Sequence, residues 1–172
     1  MILGMSLATF TLFHVIISLV GIFAGLVVVW GMFGAARLPA WTALFLVTTV
    51  ATSVTGFMFP FKGFDPADGV GVISLVVLAI TILALYVCDL ARAWRWIYVV
   101  GAMISLYFNV FVAVAQSFAK VSFLHPLAPT GSEPPFVIAQ VLVMIIFIVL
   151  GIFAVKRFHP LAQVQVAAQA RA

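Results

Sequence analysis

Five stretches of almost unbroken apolar residues divide this chain, from about Leu7 to Phe33, Ala40 to Phe59, Val70 to Leu90, Trp96 to Phe118 and Phe136 to Val155. An α-helix rises about 1.5 Å per residue, so a run of about 20 apolar residues crosses the ~30 Å hydrocarbon core of a bilayer. Inside that core each backbone N–H and C=O needs a partner within the protein, a condition that a helix meets locally. The pattern predicts an all-α polytopic membrane protein, a single-domain bundle of five transmembrane helices. The breaks fall at Gly34 to Pro39, Pro60 to Gly69, Ala91 to Arg95 and Ala119 to Pro135. The last contains Pro126, Pro129, Gly131, Pro134 and Pro135 and reads as a turn without regular structure. The tail at 159–172 is expected to be weakly structured.

Charge sharpens the picture by its position. Only 7% of the 172 residues are charged and 66% are hydrophobic, against about 25% charged in soluble domains. Arg37, Arg92, Arg95, Lys156, Arg157 and Arg171 fall on one side of a five-span chain, and Lys62 and Lys120 on the other. Positive residues favour the cytoplasmic side, so the N-terminus is expected outside and the C-terminus in the cytoplasm. Trp30, Trp41, Trp94 and Trp96 sit at or beside the cytoplasmic span ends, where an indole keeps its N–H near water. No signal peptide is read at the start, since no positive residue precedes Arg37, and the first span is expected to be retained. The scattered basic residues form no strip for nucleic acid. Asp89 and Arg92 have the i,i+3 spacing of a local ion pair. The single cysteine, Cys88, excludes an internal disulfide and reads as a packing residue.

The polar side chains within the spans carry what functional signal there is. Thr11, His14, Ser18, Gly21 and Gly25 share a face of the first span, where Ser18, Gly21 and Gly25 read as helix-packing residues. The second span carries Thr48, Thr49, Thr52, Ser53 and Thr55, of which Thr48, Thr52 and Thr55 form a stripe. Ser105, Asn109 and Gln116 line one face of the fourth span, and Gln140 enters the fifth beside Met144, Phe147 and Gly151. A buried amide without a partner costs several kcal/mol, so these side chains are expected to face protein, water or a ligand. By depth, His14, Thr52, Thr55, Gln116 and Gln140 fall in the outer half of the membrane, with Asn109 near its middle. These six residues form a candidate ligand-binding cluster, which the long loop with His125 and Glu133 would cap. Helix packing explains the same residues, and sequence alone leaves both readings open.

Catalytic chemistry finds little to stand on. No span contains Asp or Glu except Asp89 at an end, which argues against proton-driven transport. His14 has no second histidine at its depth for a bis-histidine haem; pairing with Met58 or Met144 is formally allowed. No metal-ligand spacing, catalytic triad or phosphate loop is present, and no cofactor is predicted, haem and quinone being the ones considered. The stretches Trp41 to Leu46, Thr52 to Phe57, Arg95 to Tyr98 and Ala128 to Phe136 resemble those of a group of small, uncharacterised bacterial integral membrane proteins. The resemblance covers nearly the whole chain and implies a bacterial inner membrane, with no activity to transfer. The expectation is a non-enzymatic protein surrounded by lipid, acting as an accessory subunit beside a membrane-protein partner or as a homo-oligomer. The alternative is a binding or transport module for a small neutral or lipid-like molecule such as a quinone.

Overall fold

The computed structural model describes residues 2–60 and 66–160, and the described residues form five long helices. Helix α1 spans Leu7–Phe33, α2 Pro39–Gly56, α3 Pro66–Ile82, α4 Trp94–Lys120 and α5 Pro134–Arg157. Four segments are long and apolar enough to cross a membrane: Leu7–Phe33, Asp68–Val87, Trp94–Lys120 and Pro134–Arg157. Helix α2 is not among them, since Thr42, Thr48, Thr49, Thr52, Ser53 and Thr55 dilute its apolarity over 18 residues.

Local chemistry sets the helix ends. Ser6 caps α1 by accepting from the Thr9 N–H at 3.1 Å. Pro39 opens α2, and Leu38 before it adopts a left-handed conformation. Helix α2 stops at Gly56 rather than near Phe59, because Met58 and Phe59 bond back to Thr55 and Gly56 in a tighter i→i+3 turn before Pro60. Helix α3 starts before Val70, at Pro66, and widens into a π-helical turn over Leu83–Val87. There the Cys88 N–H donates to the Leu83 carbonyl at 3.0 Å. Lys120 ends α4, and a 3₁₀ turn at His125–Leu127 gives regular structure to part of the expected irregular loop. Pro134 and Pro135 occupy the first turn of α5, where no N–H is required of them. Of the tail, residues 161–172 lie outside the described residues, as do Lys62 and Asp65 of the second gap.

Helix α4 is central and meets each of the other four. The two ends of the bundle differ in packing. Its buried residues run from Tyr98 to Leu106 and none lies beyond, while α1 is buried from Gly21 to Met32 and otherwise only at Phe10. The apolar core of Val28, Met32, Phe45, Tyr98, Leu106 and Phe158 therefore fills the half that also carries Arg37, Arg92, Arg95, Lys156 and Arg157, here termed the basic end. Gly25 permits this close approach: a Cβ there would lie 2.6 Å from Leu106 Cδ1 and 2.9 Å from Phe45 Cδ2. Gly101 does the same for α3, since its missing Cβ leaves the space taken by the Thr81 hydroxyl.

The basic end is tied together by charge. Arg37, in the α1–α2 turn, forms an ion pair with Asp89 in the α3–α4 turn at 2.5 Å. This corrects the expected Asp89–Arg92 pair. Asp89, Leu90 and Arg92 have φ of 43°, 58° and 49°, so the segment is not helical and i,i+3 proximity is lost. Arg95 donates to the carbonyls of Val155 at 2.8 Å and Phe158 at 2.7 Å, placing a cation on the carbonyl end of α5.

Candidate functional site

Away from the basic end, polar side chains form a ladder between α1 and α2 that reaches α4. Three rungs follow from the spacing of three and four residues along each helix. At the first, His14 Nδ1 lies 2.8 Å from Thr55 Oγ1. At the second, the Ser18 hydroxyl donates to the His14 carbonyl at 2.7 Å and lies 3.3 Å from Thr52 Oγ1. At the third, the Asn109 amide donates to Thr49 Oγ1 at 3.2 Å. Gly21 makes room for that rung, since a Cβ there would lie 3.0 Å from Thr48 Oγ1 and 3.5 Å from Asn109 Nδ2.

Thr55 also bonds within its own helix: its Oγ1 lies 2.7 Å from the Ala51 carbonyl and 3.2 Å from the Thr52 carbonyl. Which of His14 Nδ1 and Thr55 Oγ1 is the donor depends on the imidazole tautomer. No described residue hydrogen-bonds to Nε2. Phe59 holds the ring edge-on at a centroid distance of 5.3 Å and is itself packed on the buried Phe10 at 5.0 Å.

Of the six candidate ligand-binding residues, His14, Thr52 and Thr55 lie together on adjoining rungs, and Asn109 joins the same ladder through Thr49. Gln140 does not meet them. It is buried between α4 and α5, where its amide donates to the Phe111 carbonyl at 3.1 Å and its Oε1 has no partner. Gln116 is exposed on α4. Thr11 and Thr48 bond to carbonyls of their own helices. The expected cap is not formed by hydrogen bonds from the long loop: Glu133 accepts from the Thr130 N–H and hydroxyl and the Ser132 N–H, and His125 is exposed. Slight desolvation pushes the Glu133 carboxyl up, but these donors outweigh it and hold the group at about 2.

Sequence reasoning missed several partners. Thr49 lies off the Thr48, Thr52 and Thr55 stripe, yet it is the completely buried acceptor for Asn109. Ser53 reaches Ser74 at 3.3 Å, which ties α2 to α3. Which hydroxyl meets which amide depends on how helices rotate against one another, and no single helix encodes that. Ser105 is completely buried, and its hydroxyl has no partner among the described residues.

The ladder is thus a set of interhelical hydrogen bonds, in which His14 Nε2 has no partner among the described residues. Such bonds are worth about 0.6 to 2 kcal/mol each in a membrane, enough to fix helix register without adding reactivity. Comparisons of the chain with family models, curated proteins and solved structures found no match.

Proposed function

We propose that this chain is a non-enzymatic integral membrane protein that acts by association, as an accessory subunit of a larger membrane assembly or as a self-associating bundle. It crosses the bacterial inner membrane five times, with α2 as the additional span, the basic end in the cytoplasm and the N-terminus outside. A length of about 27 Å lets the 18 residues of α2 span most of the hydrocarbon while α1, α3 and α4 shelter its hydroxyls. The orientation rests on the positive residues and on Trp30, Trp41 and Trp96, all exposed near the basic end.

The observation that carries the proposal is α5. Of its 24 residues, only Gln140 and Ala154 are buried, and apolar side chains such as Ile138, Leu142, Ile145, Val149 and Phe153 are exposed. A helix attached to its own bundle mainly along one edge leaves most of its circumference for lipid or another membrane helix. The polar side chains of α1, α2 and α4 already join helices to one another, which favours a scaffold over a reactive centre. A photo-crosslinker at Ile145 tests this directly in intact membranes. The proposal expects a discrete crosslinked protein species; crosslinks to lipid alone would contradict it.

One observation favours a second reading. His14 Nε2 has no hydrogen-bond partner among the described residues, which suits a binding or transport module for a small neutral or lipid-like molecule.

A further inference from the structure

Cations gather where α4 begins and α5 ends. Arg95 donates through Nη1 to the carbonyls of Val155 at 2.8 Å and Phe158 at 2.7 Å, and Phe158 is buried against Tyr98 with ring centroids 5.8 Å apart. Lys156 and Arg157 lie in sequence between those two acceptors, so the turn of backbone that carries both is fixed beside the start of α4. Arg92 precedes Arg95 by three residues, in the turn that leads into α4. Arg92, Lys156 and Arg157 are exposed and form no ion pair among the described residues. The carbonyls that hold Arg95 are neutral, so its charge is not cancelled either. Carboxylates do not balance this group. Of the described acids, Asp89 is at this end and is taken by Arg37, whereas Asp68 in the first turn of α3 and Glu133 before α5 belong to the opposite end.

The surface just inside these charges is apolar. A Cβ on Gly151 would lie 3.8 Å from Met103 Cγ, and the rings of Tyr107 and Phe147 have centroids 5.7 Å apart, so α4 and α5 run antiparallel away from the Arg95 clamp. Trp96 and Val100 on α4, and Ile152 and Phe153 on α5, therefore fall at levels between the clamp and the Met103–Gly151 contact, and all four are exposed. An anionic headgroup with acyl chains beneath it matches this order, with the Trp96 indole at the interface. A soluble anion would use the cations alone. The axes of packed helices lie about 8–10 Å apart, so the cations are carried by two separate backbones. One phosphate pairs with the cations of one helix, whereas two phosphates joined through a glycerol span both.

We propose that the adjoining ends of α4 and α5 bind one phospholipid that carries two phosphates bridged by glycerol. One phosphate meets Arg92 and Arg95, the other meets Lys156 and Arg157, and the acyl chains lie on the exposed apolar residues below. Charge complementarity selects the headgroup, and the apolar surface retains a lipid in preference to a soluble anion. The inference requires that the basic end meet a membrane surface, and it is independent of any protein partner.

The test uses the full chain in a mild detergent, titrated with tetraoleoyl cardiolipin or dioleoyl phosphatidylglycerol and read by native mass spectrometry. Cardiolipin is expected to bind about tenfold more tightly than phosphatidylglycerol, which carries a single phosphate. Equal affinity for the two would overturn the proposal. Lys156→Gln combined with Arg157→Gln, both on exposed side chains, should weaken cardiolipin binding about tenfold, remove its preference over phosphatidylglycerol and leave the melting temperature unchanged; a retained preference would overturn the role of α5. Arg92→Gln should weaken cardiolipin binding about fivefold, whereas Arg37→Gln combined with Asp89→Asn, which removes a pair already neutral, should leave it within about twofold. Equal losses in those two variants would show that the cluster is not the site. Pyrophosphate at millimolar concentration should not displace the lipid, and displacement would assign the cations to a soluble anion instead. The number of chains per particle in the same spectra reads the association proposal separately, so the two can fail independently.

Discussion

Asn109 shows how a polar residue in hydrocarbon acquires its role from a partner outside its own helix. Its amide is held by Thr49, and Gly21 supplies the space for both. Asn109→Leu should destabilise the bundle by about 1 kcal/mol in a reversible unfolding assay, and adding Thr49→Val should cost little more because the pair acts as one interaction. Fully additive losses would contradict the bond. Glu133 offers a pH test outside the membrane. Its carboxyl lies at about 2 against an ordinary value of 4.5. A depressed folded value means that its contribution to loop stability is complete above the ordinary value and is lost as pH falls towards about 2. The Thr130 amide resonance should titrate with that low midpoint and become flat in Glu133→Gln; a midpoint near 4.5 would show that the hydrogen bonds are absent. At this scale the sequence identified which polar residues share a helix face. It did not reveal pairings, as Arg37 taking Asp89 from Arg92 illustrates.

Helices were more legible than their contacts because hydropathy is a local property. The expected first span coincides with α1, from Leu7 to Phe33, since Ser6 caps one end and Gly34 follows the other. The departures are at turns. Helix α2 ends early at Gly56, and the segment after α3 becomes a π turn followed by three residues of positive φ. Neither follows from apolarity, because turn geometry depends on what the next helix must reach. Gly25 marks the tightest element contact. Gly25→Leu should lower stability by about 1 to 3 kcal/mol, as the Phe45 ring and Leu106 have to move; an unchanged unfolding transition would show that α1 is not seated there. Arg95→Met should loosen the last turn of α5, seen as faster hydrogen exchange at Val155 to Phe158, because two carbonyls lose their charged donor. Unchanged exchange would contradict that clamp.

Across the whole molecule, packing is graded. The basic end carries the apolar core, the Arg37–Asp89 bridge and the Arg95 clamp, whereas the other half is held by a ladder of hydroxyl, imidazole and amide bonds. A polar network at the looser end fixes register where apolar packing alone does not. This division was foreshadowed by charge position but not by composition, since the two halves are similarly apolar in sequence. Helix α5 stands apart, joined to α4 and, less extensively, to α1, with most of its side chains exposed. The proposed role in association depends on that helix. The most direct measurement is the intact mass of the particle released from its native membrane in a mild, non-denaturing detergent. The account predicts one discrete species, heavier than the 18.5 kDa chain by a second copy or a stoichiometric membrane protein. It also predicts that Ile145→Arg on the exposed face of α5 reduces that species to the monomer while preserving the fold. A monomeric wild-type particle carrying only lipid, under the gentlest extraction, would contradict it.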